Sequence, residues 1–217
     1  MDRNNYIWEY YSQIKNGSVK VGKWIKLIYE IIIDGMQEQR FYFNQKKASA
    51  AIEWIETRGF HCEGPLAPGK IKLELWQKAL VSCIFGITDK DGRRQFNEVV
   101  LVVGRKNGKS LLASAIAKYI WLHEGGYGAR VFCLAPKFDQ ADIIYNAIWQ
   151  MTVLDPEWQQ IKSEIEQSRQ GHQRGVDVER LAKRRVSDLY WPEENITVKK
   201  IAFNAKTSDG FSPSLAI

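Results

Sequence analysis

Cysteine and histidine are scarce, with three of each in 217 residues. Cys62, Cys83 and Cys133 are odd in number and far apart, no Cys-x-x-Cys or Cys/His ligand spacing occurs, and His61, His123 and His172 stand alone. That pattern excludes a disulfide framework and a zinc site, and it predicts reduced thiols. Long apolar runs are missing too. The longest, WIKLIYEIII at 24–33, contains Lys26 and Glu30 and is too short to span a bilayer. The N-terminal MDRNNYIWEYY lacks the apolar core of a secretion signal. A soluble, intracellular chain with no membrane partner is expected. Charge is not segregated: the net charge is +6, yet residues 1–70 carry 10 Lys and Arg against 8 Asp and Glu, and the remainder carries 21 against 17. A diffuse excess of this kind marks no nucleic-acid patch. Repeats and low-complexity tracts are also lacking, and 45% hydrophobic with 26% charged residues is an ordinary globular composition.

What is present reads as helices followed by an α/β pattern. Ile7, Tyr10, Tyr11 and Ile14 fall at helical spacing over 5–15, and Asn16-Gly17 is a natural stop. Over 18–33, Val21, Trp24, Ile25, Ile28, Ile31 and Ile32 form one apolar face. Asn44 is placed to cap a third helix through about Thr57, with Ala48, Ala51, Ile52 and Ile55 inward. The Gly- and Pro-containing RGFHCEGPLAPGK (58–70) is the candidate linker, which puts a helical N-terminal segment at 1–65 and an α/β core at 66–217. Within the core, KLELWQKALVSCIFG (72–86) predicts a helix ended by Gly86, 98–103 a buried strand, 110–123 a helix, and RVFCLA (130–135) a second buried strand stopped by Pro136. Asp139 is placed to cap the next helix. Residues 157–188 predict helical pieces broken around GHQRG, 195–205 alternates as a strand, and PSLAI begins another. Strands alternating with helices predict a parallel sheet covered on both faces.

Between the apolar run Val99–Val103 and the helix pattern lies Gly104-Arg105-Lys106-Asn107-Gly108-Lys109-Ser110. A glycine-containing loop can turn its amides inward and admit phosphate without a Cβ in the way, while the helix start adds its positive end. Lys109 can reach β and γ phosphates, and the Ser110 hydroxyl can sit on Mg²⁺. The expected ligands are thus ATP and Mg²⁺, held by Gly104, Arg105, Lys106, Asn107, Gly108, Lys109 and Ser110. The consensus GxxxxGK[ST] places a glycine where Val103 stands, so Gly104 comes one residue late.

With this loop in view, the chain resembles the large terminase subunit of tailed bacteriophages, the ATPase that drives DNA into capsids. GRKNGKS is similar to that family's variant phosphate loop, and the resemblance gives Arg105 a part in handling the γ-phosphate beside Lys109. LELWQKALVSCIFG resembles the adenine-recognition segment, which implies that Gln77 reads the adenine edge with Trp76 packed nearby; the usual proline is Leu75 here. VFCLAPKFDQADIIYNAI resembles the next family motif and offers Lys137 and Gln140 for coupling nucleotide to DNA. DGMQEQRFYFN and AKTSDGFSPSLAI extend the likeness over nearly the whole chain. The resemblance implies a P-loop NTPase fold of the RecA/ASCE-like class and double-stranded DNA as partner. A portal protein, a small terminase subunit, a homo-oligomeric ring at full length and the host cytoplasm are implied with it.

A P-loop ATPase also needs an aspartate for Mg²⁺ and a glutamate to orient water. No apolar run followed by two acids occurs after Ser110, and Asp34 in YEIIIDG precedes the loop and reads as helix. The resemblance would place those acids just past SLAI, so the chain is expected to be the front part of a longer protein, with little or no turnover of its own. No trans-acting arginine is assigned, although Arg184, Arg185 and Lys206 are available. The alternatives are another ATP-dependent DNA translocase or helicase-like motor, and a non-hydrolysing remnant that serves as an interaction module.

Overall fold

The computed structural model describes residues 5–170, 181–202 and 213–217. The expected break at GHQRG, all of TSDGF and Lys206 lie outside the described residues. The chain divides into two compact units, one of residues 1–56 with 72–102, the other of 57–71 with 103–217. The division drawn from the sequence at residue 65 falls inside the 57–71 segment.

The first unit is built from helices. Asn5 caps α1 (Tyr6–Lys15) by accepting the Ile7 and Trp8 amides, and Gly17 at φ +80° turns the chain at its end. The helix α2 covers Lys23–Gln37, followed by β1 (Tyr42–Phe43) and α3 (Gln45–Arg58). Asn44 accepts the Lys47 amide at 3.0 Å, the cap its position predicted. Then come α4 (Leu75–Gly86) and β2 (Ile87–Thr88), which pairs antiparallel with β1. Ile7, Tyr10 and Ile14 of α1 meet Tyr29, Ile32 and Ile33 of α2, with Ala79 and Cys83 of α4, and Tyr10 and Tyr29 stack edge-on at 5.0 Å. A Cβ at Gly86 would come within 2.7 Å of Phe43 and 2.8 Å of Ala48, so only glycine lets α4 and α3 approach so closely there.

The buried side of α2 is not the expected one. Tyr29, Ile32 and Ile33 face inward, whereas Trp24, Ile25, Ile28 and Ile31 are exposed. The helix is apolar on more than one side, so helical spacing fits two stripes. The tyrosine pair and the contacts to α1 select the other one.

The second unit holds the sheet. Its elements are α5 (Lys109–Tyr119), a π-helical turn (Ile120–Glu124), β3 (Arg130–Ala135), α6 (Phe138–Val153), α7 (Pro156–Gln170), β4 (Lys183–Arg184), β5 (Asp188–Trp191), β6 (Ile196–Ala202) and β7 (Leu215–Ala216). Strand order is β4-β5-β6-β3-β7. β3 runs parallel to both β6 and β7, with Val131 opposite Val198, but β5 and β4 are antiparallel. The sheet is therefore mixed and not wholly parallel: Pro192 to Asn195 make a turn, and a turn that short can only reverse the chain. α6 packs on β3 and β6 and against α5. α6 begins at Phe138, so Asp139 lies in its first turn, complementing the helix's positive end, and does not cap it.

The predicted strand at 98–103 is absent. These residues form no ladder, and Val100 and Val102 are 82% and 90% exposed. An apolar run becomes a strand only when a neighbour satisfies its backbone. Among the described residues β3 is bonded on both edges, by β6 and β7, and 98–103 pairs with none of the described strands.

The segment 58–70 is ordered within the second unit. His61 donates its amide to Gly69 and Ile71 to Gly59, and Phe60 bridges Lys70. All three cysteines are free, and burial pushes the Cys83 and Cys133 thiols up to about 12. Among the described residues no helix is long and apolar enough to cross a membrane.

Candidate nucleotide-binding site

Residues 104–110 turn tightly into α5. Lys106 and Gly108 both take left-handed backbone, at φ +64° and +70°. Asn107 turns its carboxamide back, with Nδ2 donating toward the carbonyls of Gly104 (3.3 Å) and Arg105 (3.2 Å). A Cβ at Gly104 would stand 3.2 Å from that nitrogen, closer than ordinary contact. The asparagine thus braces the loop from within, which leaves Arg105 and Lys106 outside and exposed.

Gly108 is the N-cap of α5, and its carbonyl accepts the Leu112 amide at 2.9 Å. No side chain caps this helix and no acid occupies its first turn. The amides of Lys109, Ser110 and Leu111 precede the first intrahelical bond, so the helix start keeps its orphan donors and positive end. Around them stand Arg105, Lys106 and Lys109, whose side chains make no hydrogen bond or ion pair among the described residues. The Ser110 hydroxyl has no hydrogen bond among the described residues either, while its carbonyl accepts from Ser114 Oγ at 2.8 Å. Together these groups make a concentration of donors at one helix start, chemistry suited to a polyanion.

Gly108→Ala tests the left-handed turn. A Cβ there costs about 1–2 kcal/mol, so the unfolding free energy should fall by about that much and anion binding should weaken with it. Chemical denaturation of both proteins measures the first effect and nucleotide titration the second. No change in either would mean that the turn does not need glycine.

α5 is fixed at its far end by a group the sequence reading missed. Lys118 is fully buried and donates to the carbonyls of Arg58 (2.8 Å) and Met151 (3.0 Å) and to Asp155 Oδ2 (2.8 Å). Burial pushes its ammonium down to about 8, against the pull of Asp155. Asp155 is also 3.8 Å from the Arg58 guanidinium, which pairs with Glu157 as well. Each partner is remote in the chain, which is why no local spacing could announce the cluster.

The other candidate residues fall in two places. Lys137 and Gln140 sit together at the exposed start of α6, where Gln140 donates its amide to the Lys137 carbonyl. A cleft of about 310 Å³ between α5 and α6 is lined by Ser110, Leu111, Asp139 and Asn146, among others, with His61 and Cys62 from the 58–70 segment. On its α6 side Lys200 donates to Asp142 at 2.5 Å and holds that carboxyl below the usual range. Trp76 and Gln77 belong to α4 in the first unit, both partly buried. Gln77 Oε1 accepts the Glu74 amide at 2.9 Å in a capping box, which leaves its amide nitrogen as the donor.

The family model for the terminase large subunit, ATPase domain, matches residues 75–217. Among solved structures, the large terminase of bacteriophage HK97 is similar in fold, with a TM-score of 0.57 at 22% identity; the match covers 78% of this chain and 30% of that one. No curated protein sequence matches.

Proposed function

The chain belongs to the terminase large-subunit ATPase family, and from that premise we propose that residues 104–110 hold the triphosphate of ATP in a DNA-packaging motor. The observation that carries this reading is the uncapped start of α5, with the Lys109 ammonium unpartnered beside it among the described residues. Backbone amides of Gly108–Leu111 cradle the phosphates, and Lys109 donates to the β and γ oxygens. Arg105 adds a planar, permanently charged donor where negative charge grows during phosphoryl transfer. The Ser110 hydroxyl, without a hydrogen bond among the described residues, fits Mg²⁺, a hard cation that takes oxygen ligands. When bound, that ion would neutralise phosphate charge. By the family resemblance Gln77, with its amide nitrogen as remaining donor and Trp76 as neighbour, is the candidate for adenine recognition. Lys137 and Gln140 pass the state of the nucleotide to DNA.

The described strands include none that ends in paired carboxylates. This chain is therefore expected to bind Mg²⁺-ATP while hydrolysing it hardly at all. Titration with a fluorescent ATP analogue should give saturable, Mg²⁺-dependent binding, and a phosphate-release assay should stay near background. Turnover that Lys109→Ala abolishes would show that an acid within these residues orients the water. Absence of saturable binding would favour a non-hydrolysing interaction module.

For the motor as a whole we propose a homo-oligomeric ring in the host cytoplasm acting on double-stranded DNA with a portal protein and a small terminase subunit. Another DNA translocase or helicase-like motor would share the loop. Docking of the full-length protein to a portal ring, with DNA-stimulated turnover, separates the two.

A further inference from the structure

α2 presents a second apolar stripe away from its core. Trp24, Leu27, Ile28 and Ile31 are 65%, 43%, 50% and 46% exposed. Scattered exposed hydrophobes are ordinary, but these four share one side of the helix at the spacing of a coiled-coil seam. Charge on the same helix is polarised. Lys23 and Lys26 occupy the first turn and Glu30 and Asp34 the second half, with no acid in the first turn and no base in the last. That order opposes the helix dipole, which favours acids at the start and bases at the end. Lys23 lies over the Trp24 ring at 4.8 Å, at the margin of the stripe. The intrahelical Lys26–Glu30 contact is long, 4.0 Å, and exposed, so it adds little and is readily exchanged.

A surface with these properties is complementary to its own reverse. We propose that α2 pairs antiparallel with α2 of a second copy of this chain, about a two-fold axis near Ile28. With the axis there, Trp24 of one helix meets Ile31 of the other, Leu27 meets Ile28, and the dipoles oppose. Lys23 then faces Asp34 of the second copy on the flank that antiparallel seams bring together, while Lys26 lies around the far side of the helix and adds only to its overall charge. The unfavourable charge order within one helix becomes a favourable one between two. A seam of two turns is short, which places the pair among transient interfaces. The inference stands apart from the nucleotide reading and uses no residue of the loop.

Sedimentation velocity of the 217-residue chain over a rising concentration series tests it. Wild type should shift from monomer to dimer. Lys23→Glu/Lys26→Glu makes the helix uniformly acidic and Glu30→Lys/Asp34→Lys makes it uniformly basic, so each alone should self-associate roughly tenfold more weakly or worse. An equimolar mixture of the two should restore association, as direct pairing of α2 with α2 requires; circular dichroism checks that both variants fold. A wild-type monomer at every concentration, or a mixture that stays monomeric, overturns the proposal. So does buried-type Trp24 fluorescence in the monomer, which would mean the chain's own residues cover the stripe.

Discussion

Replacing Lys118 with methionine should lower the unfolding free energy by about 3–5 kcal/mol, the usual result of removing one member of a buried ion pair. The side chain is wholly buried, and its loss leaves the Asp155 carboxylate and the carbonyls of Arg58 and Met151 without their ammonium donor. Methionine fills similar space, so the deficit is polar and not a cavity. Lys118→Met/Asp155→Leu should recover much of the loss, because a matched apolar pair leaves no stranded charge. pH supplies an independent check. Burial holds the Lys118 pKa near about 8 against 10.5 for an ordinary lysine. The unfolded chain therefore binds more protons between these values, and wild type should gain stability relative to Lys118→Met as pH rises from 8 to 10.5. The Cys83 and Cys133 thiols titrate in both proteins and cancel in the difference, whereas Cys62, which the Lys118 charge pulls down against burial, adds its own smaller change. Urea denaturation at a series of pH values measures both effects. A deficit under about 1 kcal/mol would show that the cluster is not the anchor of α5 that its geometry implies.

The second large effect is on binding. Lys109→Ala should leave stability nearly unchanged, since no hydrogen bond or ion pair of that side chain is found among the described residues. It should remove a charge-assisted hydrogen bond to phosphate, about 1.5–3 kcal/mol. That loss makes Mg²⁺-ATP binding roughly 10- to 150-fold weaker. Lys109→Arg should not restore full affinity, because a planar fork cannot take the place of a compact ammonium between two phosphates. Isothermal titration of the three proteins decides the matter. Equal affinities would remove Lys109 from the site. The pairing of results discriminates: Lys118→Met is expected to cost stability first, Lys109→Ala affinity alone.

What the sequence disclosed and what it withheld follow one physical division. Local chemistry was legible. The Asn5–Lys15 periodicity, the Asn44 cap, the stop at Gly86 and the strand Arg130–Ala135 each depend on neighbours a few residues away. The loop was readable for the same reason, since Gly108, Lys109 and Ser110 act through a helix start that they themselves form. Features settled by remote partners were not. The run at 98–103 has the composition of a buried strand, but a strand also needs a partner remote in the chain, and 98–103 pairs with none of the described strands. α2 offered two plausible faces, and Tyr10 chose between them. β4 lies within the stretch 157–188 read as helical pieces and β5 begins at its end; both are short, and their pairing with each other and with β6 is not written in local spacing. Lys118 looked like one more surface lysine on a helix, and only Asp155, Met151 and Arg58 together give it a buried home.

The most direct test of the nucleotide site is a crystal structure of this chain with Mg²⁺ and a non-hydrolysable ATP analogue. The account predicts β and γ phosphates within hydrogen-bond distance of the Gly108–Leu111 amides, with the Lys109 ammonium between them and the Ser110 hydroxyl on the metal. Nucleotide bound elsewhere, or an empty turn with Lys109 directed away from any space able to hold a phosphate, would contradict it.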